Sequence, residues 1–490
     1  MLTSIHRFLF PSATNLSADF QKSPIDKSLQ FPVLFYSKGI VLWAYGTFLL
    51  GGLYFLKLCF PEMLSQTSLT TIGRLQSVFY NALIFGFLGN GILLVSPWIL
   101  SRLSQVPLVN GGLLIVAGVF WNFGVAFTVL DNFMGGIDSS FIFSIPTPSF
   151  CLWSVAYSVA MLWGVLAFFN RKQRNSFVSQ WYLIAVAFAF PWICTIMAYM
   201  KGVMGVSGVL PLILALWFEN NLIWLWLVPF FLSIVYYVIP KVAGITIDYY
   251  YFTAIAFGSL LIIASWSGLG ILAGSAVPAW IPTVSEAMAM LLFFPIFIIL
   301  VTIGKVIYNN LSTILRFPAL RFVLLSFLSF VALSVSVIAT AFPSWNHQVV
   351  FSQFRELILI TGSLCCAGTA LFAALYILLP RVIGINWMFP KMSSLHFIAT
   401  FLGTTFLLFG FWGAIYTQGS IQSDVARLSS SSLGSSLTVW YSLQGVGFLL
   451  YMLGSFFFLI NIKLLLVAWL FKLIATKHSD SVDLAGGKIA

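Results

Sequence analysis

Long apolar stretches separated by short polar connections run from about residue 37 to residue 472. Twelve of them reach the roughly 20 residues that a helix needs to cross a bilayer. Their limits are 37–60, 78–101, 107–130, 149–170, 177–200, 211–239, 250–275, 281–309, 318–342, 356–380, 393–417 and 439–472. None alternates in polarity as the strands of a membrane barrel must. The longest connection, 418–438, contains Leu428 followed by the serines 429–432 and is too short to be an interdomain linker. The pattern predicts an all-α polytopic membrane protein. A cytoplasmic segment, 1–36, precedes one domain of twelve transmembrane helices, 37–472, and a cytoplasmic tail, 473–490, follows. No apolar run lies before residue 37, so a cleaved signal peptide is not expected.

Composition sharpens this picture. Of 490 residues, 60% are hydrophobic and 7% charged, with a mean hydropathy of +1.03. Soluble domains carry roughly 25% charged residues, so a soluble enzyme, a nucleic-acid binder and a disordered chain are excluded. The net charge of +11 follows from topology. With both termini inside, only Lys57, Arg74, Lys201, Arg355 and Arg427 of the 23 basic residues fall on the outer side. The positive-inside rule then places the termini in the cytoplasm, and the excess charge faces the anionic inner leaflet.

Candidate chemistry is sparse. Four histidines occur, at 6, 347, 396 and 478, and five cysteines, at 59, 151, 194, 365 and 366, with no C-x-x-C-H or paired C-x-x-C,. Cys365 and Cys366 read as small packing residues. Gly135-Gly136 reads as a turn, since no Lys-Ser/Thr follows it to cradle a phosphate. Trp98, Trp121, Trp345 and Trp387 read as interfacial belts. Nothing suggests a nucleophile triad, a zinc motif or a nucleotide loop.

Five stretches carry a resemblance. Gly73-Arg74-Leu75 stands before Asn81-Ala82-Leu83-Ile84-Phe85-Gly86. Arg171-Lys172-Gln173-Arg174 stands before Phe177-Val178-Ser179-Gln180-Trp181-Tyr182. The others are Tyr236-Tyr237-Val238-Ile239-Pro240-Lys241, Trp266 to Trp280 ending Val277-Pro278-Ala279-Trp280, and Ala374-Leu375-Tyr376-Ile377-Leu378-Leu379-Pro380-Arg381. In order and spacing they resemble subunit I of the haem-copper oxidases, and most closely the cbb-type, or C family.

The resemblance implies six histidines, two for a low-spin haem, one for a high-spin haem and three for copper, because these metals take imidazole nitrogen. The haem-ligand positions align with Phe79, Ile358 and Ile360. The copper-ligand positions align with Asn220, Gly270 and Ile271, and the family's redox tyrosine with Ala264. All seven are substituted, and four histidines cannot serve where six are needed. His6 and His478 fall in the tails, and His347 and His396 read as loop or interfacial residues. Apolar bulk at the former ligand positions fits a closed or lipid-filled pocket, since residual cavity costs about 24 cal/mol per Å³.

Intramembrane acids are functional candidates by default. Glu219, beside Asn220, is a possible ion or proton site, or else pairs with a nearby amide or arginine. Glu286 and Glu356 read as interfacial acids near helix starts, Glu356 beside Arg355. The reading that follows is a metal-free, cofactor-free paralogue of cbb-type subunit I. It would act as a structural subunit of a respiratory complex in the bacterial cytoplasmic membrane, with lipid and c-type cytochromes or an active oxidase subunit I as partners and no nucleic acid. The alternative is a transporter, or a quinone- or lipid-binding subunit, on the same helices. An active oxidase survives only if the ligand reasoning fails.

Overall fold

The computed structural model describes residues 23–136, 142, 144–247, 249–350, 352–422 and 430–486, with side chains up to 421 and from 436 to 472. Parts of the expected terminal segments and of the 418–438 connection, Arg427 included, lie outside the described residues. Among these, eleven helices are long and apolar enough to cross a membrane: α1 Gln30–Cys59, α2 Ile72–Ser104, α3 Gly111–Met134, α4 Thr147–Phe169, α5 Val178–Gly202, α6 Leu210–Ala243, α8 Trp280–Asn309, α9 Pro318–Ala339, α10 Phe354–Ile383, α11 Pro390–Ile421 and α12 Ser436–Lys472. The shorter apolar helix α7, Tyr250–Ala264, brings the apolar elements to the twelve expected from sequence.

The run at 250–275 ends its helix early. At 1.5 Å per residue α7 is about 22 Å long, short of a hydrocarbon core of about 30 Å. The chain then turns at Gly268, whose φ is +94° and where a Cβ would stand 2.5 Å from Asn220 Oδ1. Glycine alone suits both conditions. A short 3-10 turn, Gly270–Leu272, follows. At the other end of the chain α1 begins at Gln30, within the expected N-terminal segment. The preceding turn, Pro24–Ser28, buries Asp26, which pairs with Arg102 at 2.9 Å and Arg381 at 3.8 Å.

Three helices form the centre. An 18-residue stretch of α2 and of α6 is wholly buried, and 94% of one in α10, against 39–61% in the other long helices. The surrounding helices turn residues such as Leu42, Phe123, Phe188, Ile262 and Phe409 outward, the apolar exterior that lipid requires. Each central helix also carries a π-helical turn in mid-span: Ala82–Leu88 in α2, Leu222–Leu227 in α6 and Thr361–Gly368 in α10. The α10 turn lies against the other two. Such bulges concentrate at functional sites.

Two of the four tryptophans expected at interfaces are central instead. Trp98 and Trp121 are fully buried. Trp121 donates its indole N–H to the Phe85 carbonyl at 2.9 Å and lies 5.6 Å from the Trp153 ring. Distance from a span end could not reveal this, because helix rotation rather than depth turns both rings inward. Trp345 and Trp387 are half-buried.

α11 and α12 meet along glycines. A Cβ on Gly403 would lie 2.5 Å from the Tyr451 backbone nitrogen, one on Gly447 2.6 Å from that of Leu407, and one on Gly454 2.9 Å from the His396 carbonyl. Small residues let helix backbones approach this closely within a membrane. Gly403→Val should therefore destabilise the protein by about 1–3 kcal/mol through overpacking, read as a lower melting temperature in detergent. Gly52→Ala, where an added Cβ meets nothing within 4 Å, should leave that temperature nearly unchanged.

Candidate functional site

Beside the π turns of α6 and α10 the fold leaves a cavity of about 60 Å³ lined by Glu219, Asn220, Gly270, Ile271, Arg355 and Ile358, among others. Three elements supply these residues. α6 gives Glu219 and Asn220 just before its bulge, α10 gives Arg355 and Ile358 in its first turns, and the segment after α7 gives Gly270 and Ile271. The early end of α7 is what brings that segment over the cavity.

Glu219 is held in a fixed charge pair. Arg355 Nη2 donates to both carboxylate oxygens, at 2.7 and 2.8 Å, and its Nε to Oε2 at 3.2 Å. The Ile142 backbone N–H adds a bond of 3.2 Å to Oε1. Such a fork is the strong form of ion pair. Asn220 donates to the Ala264 carbonyl at 2.8 Å, and Asn346 bridges the Gly270 carbonyl at 3.0 Å and Glu286 Oε1 at 3.1 Å. Glu356 accepts from the Tyr54 hydroxyl at 2.6 Å, so its partner lies on α1. The neighbouring Arg355 is engaged with Glu219.

Phe79 and Ile360 stand apart from this cavity. Phe79 is fully buried in a set of rings between α1, α2 and α12: Tyr54 at 6.0 Å, Phe55 at 6.1 Å and Phe448 at 5.5 Å. Gly51 closes the set, since a Cβ there would stand 2.3 Å from Phe448 and 2.7 Å from Phe79. Ile360 is fully buried just before the α10 bulge.

The two described histidines differ. His347 is exposed in the connection before α10, where the structure has a short helix, Pro343–Val349, in place of the expected loop. His396 is not interfacial. It is fully buried, with Nδ1 hydrogen-bonded to the Tyr376 hydroxyl at 3.0 Å and rings of Phe322, Phe372 and Phe458 around it. It lies on the face of α11 turned toward α9, α10 and α12, which its position near the start of the span did not disclose.

These donors do not fit haem iron or copper. Haem iron and copper take imidazole, thiolate, thioether or, for haem, phenolate donors, and the lining offers an amide committed to a carbonyl, a glycine and isoleucines. Among the described residues no three His, Cys, Asp or Glu side chains are grouped to hold a metal ion. A cavity of about 60 Å³ is also far below the roughly 300–1,000 Å³ of cofactor-sized sites.

The family model for cytochrome c and quinol oxidase polypeptide I matches residues 32–450. The chain belongs to this family. Curated relatives include cytochrome c oxidase subunit 1 of Rhodobacter capsulatus, 24% identical over 456 residues, which covers 86% of this chain and 82% of the relative. The bacteroid cytochrome c oxidase subunit 1 homolog of Bradyrhizobium diazoefficiens is 24% identical over 461 residues, covering 88% and 81%. The cbb3-type subunit CcoN1 of Stutzerimonas stutzeri is 23% identical over 401 residues, covering 80% and 83%. A solved haem-copper terminal oxidase dimer shares the fold, with a TM-score of 0.68 at 11% identity over 90% of this chain and 84% of that one.

For this oxidase-family chain, sequence reasoning offered an amide or an arginine as the partner of Glu219 but did not identify which residue. Arg355 lies 136 positions away, and no local spacing signals the pair. Removing Arg355 would leave Glu219 buried and uncompensated. Breaking a buried pair costs about 3–5 kcal/mol; the lower end applies, because the Arg355 side chain is 31% exposed. Arg355→Met should lower the melting temperature in detergent accordingly, and the double change Arg355→Met with Glu219→Gln should recover most of the loss.

Proposed function

We propose that this chain is a non-catalytic, metal-free paralogue of cbb-type oxidase subunit I that serves as a structural membrane subunit of a respiratory electron-transfer complex. The observation that carries the reading is the convergence of Asn220, Gly270, Ile271 and Ile358 on one cavity. These four positions, aligned with ligands on sequence alone, come from three separate segments and meet in space without one imidazole among them. Phe79 adds a packed ring where the alignment puts a haem ligand. Glu219, the acid among the described residues that line the cavity, is neutralised by Arg355, which favours architecture over proton chemistry.

Chemistry at the centre would need donors that these side chains lack, so the outer surfaces carry the function. The partners are membrane lipid and other membrane subunits, of the kind represented by c-type cytochromes or an active oxidase subunit I. The charge asymmetry supports a bacterial inner membrane location with both termini in the cytoplasm. In a chain freed of native cysteines, Arg174→Cys should react with an impermeant thiol reagent from the cytoplasmic side only, and Glu62→Cys from the outer side only. The reverse pattern would invert the topology.

The second reading, ion or proton transport through Glu219, rests on the cavity beside that residue. The two readings separate on purified material. The subunit freed of partner cytochromes should show no Soret band and no stoichiometric copper, whereas a haem ligated by this chain would refute the metal-free reading. Glu219→Gln keeps the shape of the acid and should leave assembly and complex activity nearly unchanged. Loss of proton or ion movement in an intact complex would instead establish the transport reading.

A further inference from the structure

A second, larger cleft lies at the end of the bundle that carries Arg102, Lys172, Arg174, Lys241 and Lys305. It has a volume of about 370 Å³ and opens where α5 begins and α6 ends, with the start of α7 as its third wall. Its size falls in the range of small-ligand sites, about 300–1,000 Å³. Three features define its chemistry. Leu103, Phe177 and Ile247 make much of the wall apolar. Lys241, exposed, stands on the rim, and Lys305 lies close by, 3.3 Å from the Tyr249 hydroxyl. Tyr236, only 7% exposed, lines the cleft, and its hydroxyl has no partner at full hydrogen-bond geometry, with the Thr302 hydroxyl its nearest polar neighbour.

The backbone builds this opening. Pro240 lies in a π turn, Ile239–Ala243, and Gly244 and Tyr249 both adopt positive φ, +68° and +69°. The connection therefore leaves the helical path of α6 before α7 begins. The Tyr250 hydroxyl then reaches back to the Ser176 carbonyl at 3.2 Å and fixes the width of the mouth.

We propose that this cleft binds one anionic phospholipid of the adjoining leaflet. Its phosphate lies at Lys241, a glycerol ester carbonyl accepts the Tyr236 hydroxyl proton, and an acyl chain runs along Leu103 and Ile247. The apolar wall argues against a free, water-soluble anion. The cationic rim, with no acidic residue among the described ones that line the cleft, favours an anionic over a zwitterionic headgroup. A buried hydroxyl donor is satisfied by an ester oxygen, whereas an alkyl chain alone leaves it unpaired. This site is separate from the Glu219 cavity and does not depend on the proposed structural role.

Native mass spectrometry of the full chain in detergent tests this, with phosphatidylglycerol and phosphatidylcholine of matched acyl chains as probes. The wild type should retain one phosphatidylglycerol about tenfold more strongly than phosphatidylcholine. Lys241→Gln should remove that preference, and Lys391→Gln, a basic residue that does not line the cleft, should keep it. Tyr236→Phe should weaken retention of both lipids, and so should Ile247→Trp, which fills the cleft. Equal retention of the two lipids by the wild type, or an undiminished preference in Lys241→Gln, overturns the proposal. Retention of both lipids unaltered by Ile247→Trp places the lipid elsewhere and overturns it as well.

Discussion

A helix at the middle of a membrane bundle meets neither water nor lipid, so each polar group it buries without a partner is costly. α2, α6 and α10 live under that constraint, and the arrangement of the remaining helices follows from it. Several of their polar groups find partners on neighbouring elements: Asn220 donates to the Ala264 carbonyl, Asn81 to the Ser144 carbonyl, and the Leu364 carbonyl accepts from Tyr451 of α12. Glu219, the carboxylate among the described residues that line the cavity, is neutralised by the Arg355 fork and capped by a backbone N–H. An isolated charge there would be far costlier than any single packing defect.

The same constraint governs volume. Interiors are filled to near-crystalline density, and the space between α1, α2 and α12 is filled by Tyr54, Phe55, Phe79 and Phe448. Gly51 is the counterpart of those rings, because only a residue without Cβ leaves room for them. At the cavity the balance is polar instead, with Gly268 giving way to Asn220. The periphery holds by other means. Asp26 ties the N-terminal turn to the ends of α2 and α10 through Arg102 and Arg381. The glycine seam of α11 and α12 brings two backbones into contact.

The sequence by itself determined the class of the protein and the number of its apolar elements, because burial in lipid demands long unbroken runs that composition cannot disguise. It also determined the family, through anchors such as Tyr236 to Lys241 and Ala374 to Arg381 at span ends, and the total of four histidines, which needs only counting. Tertiary structure alone decided which helices are central, since the mean hydropathies of α2, α6 and α10, 1.9, 2.2 and 2.0, fall within the 1.6 to 2.6 of the lipid-facing helices. It decided that Trp98, Trp121 and His396 face inward, that α7 stops at Ala264, and that Arg355 answers Glu219 rather than its own neighbour Glu356. Hydropathy records how apolar a segment is, while rotation about a helix axis and pairing across 136 residues depend on what the other helices present.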